Sequence, residues 1–127
     1  MSTNSSIAKL QPDGSVKEIY CHWDGHPSSV GKTLMEHYTT EEKVDQLIAL
    51  GNISVLGKEI GSKQDFDNPV KDTCVVYGRD RDEVNMEANH FANPQDWHAY
   101  CNESHYEYSY LFLGETIVPT PWLITSH

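Results

Sequence analysis

Apolar positions fall in short clusters whose spacing changes along the chain. Ser5–Leu10 and Val16–Asp24 flank the run Gln11-Pro12-Asp13-Gly14-Ser15. Proline presets φ and glycine accepts positive φ, so this reads as strand, turn, strand. In the second strand Ile19, Cys21 and Trp23 share one face, and Tyr20 and His22 the other. Val30, Leu34 and Tyr38 recur at helical spacing, predicting a helix capped by Ser28 or Ser29 that runs to about Tyr38. Thr39 to Glu42 has the spacing of a capping box. The helix it opens turns Val44, Leu47 and Ile48 inward and stops near Gly51, forming a helical hairpin with the first.

Beyond Gly51 the pattern is more broken. A short helical turn is expected within Asn52–Ile60, followed by a polar loop from Gly61 to Asp72. Thr73–Tyr77 is a β-branched run that reads as a buried strand, ended by Gly78-Arg79-Asp80-Arg81-Asp82. Val84–Phe91 is ambiguous in its pattern. Asn93-Pro94 has the form of a cap with proline at the first helical position, and Trp97, Tyr100 and Cys101 line one side of that helix. Tyr106, Tyr108, Tyr110 and Phe112 alternate onto one strand face, and Pro119 and Pro121 limit a last strand. The order mixes strands and helices without a βαβ rhythm. It predicts a single α+β domain over residues 1–127, with a small antiparallel or mixed sheet and helices packed on one face.

Composition narrows the function classes. With 127 residues and 38% hydrophobic content, the chain can build one core. No apolar run approaches the roughly 20 residues of a membrane span. Met1–Ser6 is polar, which predicts no secretory leader. Three widely spaced cysteines, Cys21, Cys74 and Cys101, read as reduced thiols in a cytoplasmic setting. The formal net charge is −10, and no Lys or Arg follows Arg81. A duplex-DNA binder needs cations to displace counterions, so that class is disfavoured. An acidic face either keeps the chain soluble or meets a basic partner.

The densest chemical cluster is Tyr20-Cys21-His22-Trp23-Asp24-Gly25-His26. His22 and His26 with Asp24 are candidate metal ligands, but no Cys-x-x-Cys pair accompanies them. Cys21 is a candidate nucleophile, yet in an extended strand His22 points away from it. No Gly-x-Ser-x-Gly elbow, P-loop or Rossmann glycine pattern occurs. Arg79 and Arg81, two apart just past a strand, can present planar forks to phosphate or form ion pairs with Asp80 and Asp82. The tyrosine ladder is either a base-stacking platform or a core face.

Ile19-Tyr20-Cys21-His22-Trp23-Asp24-Gly25-His26-Pro27, then Gly31-Lys32, Leu34 and Tyr38, resembles a family of short proteins of tailed phages and prophages. Glu41-Glu42-Lys43-Val44, Leu47-Ile48, Leu50-Gly51, Phe66-Asp67-Asn68-Pro69 and Tyr77-Gly78-Arg79-Asp80-Arg81 fit the same pattern, so the resemblance covers about residues 1–82. The chain departs from it at Asn4, where the family often has arginine, and at His26, where it is often aromatic. The resemblance implies a phage origin and no particular activity.

Phage accessory proteins of this size include sponges for cyclic nucleotide immune signals, which need cations for phosphate, aromatics for bases and no catalytic centre. Tyr20, His22, Trp23, Asp24, His26, Lys32, Arg79 and Arg81 are the ligand-binding candidates on that reading, which predicts a homo-oligomer within the host cytosol, without a cofactor. The alternatives are an acidic inhibitor that covers a basic host defence protein, and a metal-dependent hydrolase built on His22, Asp24 and His26.

Overall fold

The computed structural model describes residues 3–127. The polar lead expected at Met1–Ser6 falls outside the described residues at Met1 and Ser2, and Ser5 already belongs to the first strand. Strands β1 (Ser5–Leu10) and β2 (Val16–Cys21) form the expected antiparallel hairpin, with Ile7 opposite Ile19. Its turn is tied by Asp13, whose Oδ1 accepts from the Ser15 N–H and hydroxyl, while Gly14 takes φ 88°.

A single π-helical turn, Pro27–Gly31, leads into α1 (Lys32–His37). His26 occupies the cap position without a side-chain bond to the helix, so neither Ser28 nor Ser29 caps it; Pro27 sets its first turn instead. Helix α2 (Glu41–Ala49) is capped one residue later than the capping-box spacing predicts, with Thr40 Oγ1 accepting from Lys43 N–H. Val44, Leu47 and Ile48 are buried as expected.

The helical turn expected after Asn52 is a strand, β3 (Ile53–Val55). It pairs parallel with the end of β2, and the backbones of His22 and Trp23 donate to the carbonyls of Ile53 and Ser54. Then follow β4 (Val75–Val76), shorter than the strand expected over Thr73–Tyr77 because a helical turn, α3 (Tyr77–Arg81), begins at Tyr77, and β5 (Asn89–Phe91), α4 (Pro94–Glu103), β6 (Tyr108–Phe112) and β7 (Trp122–Ser126). Asn93 caps α4 as predicted, accepting from Asp96 N–H at 2.8 Å.

The sheet is mixed, in the order β4-β3-β2-β1-β6-β7, with β5 also pairing with β2. β1 runs parallel to β6, β2 parallel to β3, and the remaining strand pairs are antiparallel. The α+β class and mixed sheet are those expected from the sequence. The helices, however, are divided between its faces. Adjacent residues Ile7 and Ala8 point oppositely and join different clusters. Ile7, Ile19 and Phe112 meet α1 and α2, whereas Ala8, Val16 and Leu111 meet Trp97 and Cys101 of α4. β1 and β6 carry buried apolar residues on both faces, so each face requires a cover.

Among the described residues no helix is long and apolar enough to cross a membrane.

Candidate functional site: an aromatic strip along one face of the sheet

The seven-residue cluster at the end of β2 is dispersed by the fold. Cys21 is fully buried, and loss of solvent pushes its thiol up to about 12. A nucleophilic cysteine needs its thiolate, so Cys21 is a packing residue here. Asp24 takes φ 54° and Gly25 lies against the chain start, with its N–H bonded to Thr3 O at 2.7 Å. A Cβ at Gly25 would come within 2.8 Å of Thr3 O and 2.9 Å of Ser5 Cβ. Tyr110 Oη donates to the Gly25 carbonyl. The Asp24-Gly25 pair is therefore a folding requirement.

His26 leaves in another direction, its Nε2 2.9 Å from Thr3 Oγ1 and its ring 5.7 Å from that of Tyr108. His22 Nδ1 instead lies 2.6 Å from Tyr20 Oη. His22, Asp24 and His26 do not converge, and no group of three metal-ligating side chains forms among the described residues. The geometry gives the hydrolase reading no ligand set.

Arg79 is the second displaced candidate. Its Nε donates to Asp80 at 2.9 Å, Nη1 to Ile60 O at 2.8 Å, and Nη2 to Cys74 O at 2.8 Å. Asp80 is buried and also accepts from the N–H groups of Val76 and Gln64. Burial works against its charge, but Arg79 and these N–H groups outweigh it and hold the carboxyl below its usual range. This pair fastens the 61–73 loop to β4 and α3, leaving the Arg79 fork turned inward. Arg81 faces solvent, paired with Glu83 and lying 4.3 Å over Phe66 and 5.1 Å from Tyr77. Lys32 is exposed at the start of α1, across the sheet from Tyr20.

The fold does bring together a chain of rings that sequence spacing did not reveal. Phe91 on β5 lies 5.1 Å from Tyr100 on α4, which lies 6.0 Å from Tyr106. Tyr106 lies 5.6 Å from Tyr20 on β2. Tyr20 continues to His22 at 5.9 Å, and His22 to Trp23 at 4.7 Å. These are ordinary separations for interacting rings. Tyr106 is nearly buried and Trp23 is 45% exposed, so the strip rises from core to surface.

Tyr106 thus departs from the ladder predicted with Tyr108, Tyr110 and Phe112. It precedes β6 and packs with α4, while those three join the cluster under α1 and α2. Arg81 adjoins the strip through Asn52, whose Oδ1 accepts from Tyr20 N–H and whose carbonyl accepts from Tyr77 N–H.

Of the charged residues close to the strip in sequence, Asp24, Glu103 and Glu107 are exposed carboxylates and Lys17 is an exposed cation. Beneath it, Glu18 is fully buried with no cation paired to it among the described residues. Its oxygens accept from Ser6 Oγ at 2.5 Å and Asn89 Nδ2 at 2.7 Å. Burial raises its pKa.

Elsewhere, a groove of about 680 Å³ between the hairpin and the end of α2 is lined by Lys9, Lys17, Asp45, Ile48, Glu87 and His90. It holds none of the predicted site residues, and Lys9 is already paired with Glu41 and Asp45. Comparison of the chain with family models, curated proteins and solved structures finds no match.

Proposed function

We propose that the protein is a non-catalytic binding protein that recognises a basic protein surface through the aromatic strip. The observation that carries this is the run of rings from Phe91 to Trp23, ending in a half-exposed indole beside Asp24. Tyrosine and tryptophan supply most hot spots in protein interfaces, because they bury large area at low entropic cost. Carboxylates around such a patch select a cationic partner and speed its approach. The net charge of −10 acts in the same direction. With the phage resemblance, the partner is a host protein, such as a defence factor with a nucleic-acid groove.

A second reading, sequestration of a cyclic nucleotide signal, is favoured by one observation. Arg81 is half exposed and already stacked on Phe66 and Tyr77, so it offers a fork beside rings. The inward commitment of Arg79 removes the other fork that this reading needs.

The test is affinity capture from host extract with wild-type protein and with Trp23→Ala, eluted by a salt gradient. A retained protein of high isoelectric point that elutes with salt and is lost with Trp23→Ala supports the strip. The same retained set on both proteins overturns it. Native mass spectrometry with cyclic di- and trinucleotides decides the second reading. A stoichiometric mass shift that Arg81→Ala abolishes makes nucleotide sequestration the function.

A further inference from the structure

Among the described residues, β7 is the last strand of the sheet and pairs with β6 alone. Which of its backbone groups face outward follows from the ladder. Leu113 N–H donates to Pro121 O at 2.7 Å, and His127 N–H donates to Glu107 O at 2.9 Å. In an antiparallel pair, bonded residues recur at every second position. Leu123 and Thr125 therefore direct their N–H and C=O groups at β6, whereas Trp122, Ile124 and Ser126 direct theirs away from it. Thr120 Oγ1 accepts from Trp122 N–H at 3.3 Å. The N–H groups of Ile124 and Ser126 and the carbonyls of Trp122 and Ile124 remain on the open edge.

Edge strands are normally shielded by charge, proline, brevity or a covering element. The opposite edge, β4, is two residues long. β7 is five residues long, and from Thr116 to Ser126 no residue is charged. Its prolines, Pro119 and Pro121, precede the strand, and Leu123 is 48% exposed. In a chain of net charge −10, this is a long uncharged stretch. A basic partner finds no carboxylate here, while a second copy meets no like charge.

We infer that β7 is a homodimer interface, pairing antiparallel with β7 of a second copy across a twofold axis at Ile124. The pattern of free groups is self-complementary, as an isologous interface requires. Ile124 exchanges N–H and C=O with Ile124 of the partner subunit. Ser126 N–H donates to the carbonyl of Trp122 of the partner subunit, and the reverse bond follows by symmetry. Leu123 then lies against Thr125 of the partner subunit, which covers its exposed side chain. The two sheets become continuous, and the aromatic strips stay outside the interface. The inference is independent of the strip's function, and Trp23→Ala leaves the dimer intact.

The experiment is light scattering of the full chain during size exclusion, loaded from about 1 to 100 µM, with hydrogen exchange at both ends of that range. The expected species is twice the 14.4 kDa chain mass, with Ile124 and Ser126 amides gaining protection as concentration rises. Ser126→Pro removes an outward donor without touching the β6 ladder and weakens the dimer by about tenfold or more. Leu123→Lys places cations at the interface on an exposed position and acts in the same direction. Circular dichroism establishes that both variants fold. A monomer throughout the range overturns the inference. So does a dimer that Ser126→Pro and Leu123→Lys leave unchanged.

Discussion

Under α1 and α2, the sheet meets a sealed core, whereas under α4 its cover stops short and aromatic rings continue the surface. On the sealed face Ile7, Ile19, Leu34, Val44, Leu47 and Phe112 are fully buried. The large polar-tipped side chains there have partners: Tyr38 Oη donates to Gly57 O at 2.6 Å and Trp122 Nε1 to Tyr38 O at 2.8 Å. On the other face Trp97 closes the centre, bonded through Nε1 to Ser6 Oγ at 2.9 Å. From there accessibility rises from the buried Tyr106, through the partly exposed Tyr20 and His22, to the exposed Trp23. Aliphatic side chains have no favourable contact to offer water, so a face built from them has to be closed. Rings with polar tips tolerate a half-open position and keep area for a partner.

Neighbours on β2 test that contrast most strongly. Ile19 and Tyr20 are adjacent but belong to opposite faces. Ile19→Ala empties a site with no exposure and is expected to cost about 2–5 kcal/mol in chemical denaturation. Tyr20→Ala, at a partly exposed position, is expected to cost clearly less. Equal losses would mean that both faces are core. Next in size is Gly25→Ala at the turn that launches the strip. The added methyl meets Thr3 O and Ser5 Cβ inside 3 Å, and about 1–3 kcal/mol is the expected loss. A neutral Gly25→Ala would show that the Asp24-Gly25 pair serves recognition rather than folding.

Local chemistry was legible and distant contact was not. Pro12-Asp13-Gly14 gave away the hairpin, and Asn93-Pro94 the start of α4, because turns and caps are decided within a few residues. β3 escaped because it is only three residues long and is held by the end of β2, more than thirty positions earlier. Arg79 was misplaced for a related reason. Its neighbour Asp80 was visible, but the carbonyls of Ile60 and Cys74 that turn the fork inward lie in other segments. The strip was half seen. Tyr20, His22 and Trp23 stand together in sequence, whereas Phe91, Tyr100 and Tyr106 join them only through the β2–β5 pairing and the docking of α4. The buried Glu18 had no sequence signal, since its exchange of solvent for Ser6 and Asn89 depends on α4 closing over it.

Glu18 gives a prediction that distinguishes the faces by pH, as a slope rather than a drop. Burial raises its folded pKa above the unfolded value, so between the two the native state binds more protons than the unfolded chain. Its contribution to stability is full below the unfolded carboxylate range. It is lost as pH rises toward the folded value, and the profile is flat above that. Glu18→Gln keeps an oxygen to accept from Asn89 and offers an amide to Ser6, copying the neutral acid. Denaturation measured from pH 4 to pH 9 is expected to lose this component of the slope, with the variant gaining on wild type as pH rises. A constant difference between the two across that range would mean that Glu18 does not titrate with folding.

Trp23→Ala is expected to have the smallest effect on stability and the clearest effect on the surface. The indole is nearly half exposed and rests on His22 alone among the rings, so its removal opens no cavity. Surface changes of this kind stay within about 0.5 kcal/mol. Trp97 and Trp122 are buried, at 1% and 3% exposure, so Trp23 is the indole within reach of a dissolved quencher. Acrylamide is expected to quench a red-shifted part of wild-type emission that is missing in Trp23→Ala. A bound partner is expected to shield that same part. If Trp23→Ala instead lowers stability by as much as Ile19→Ala, the indole is closing a core, and the open end of the strip is not available for recognition.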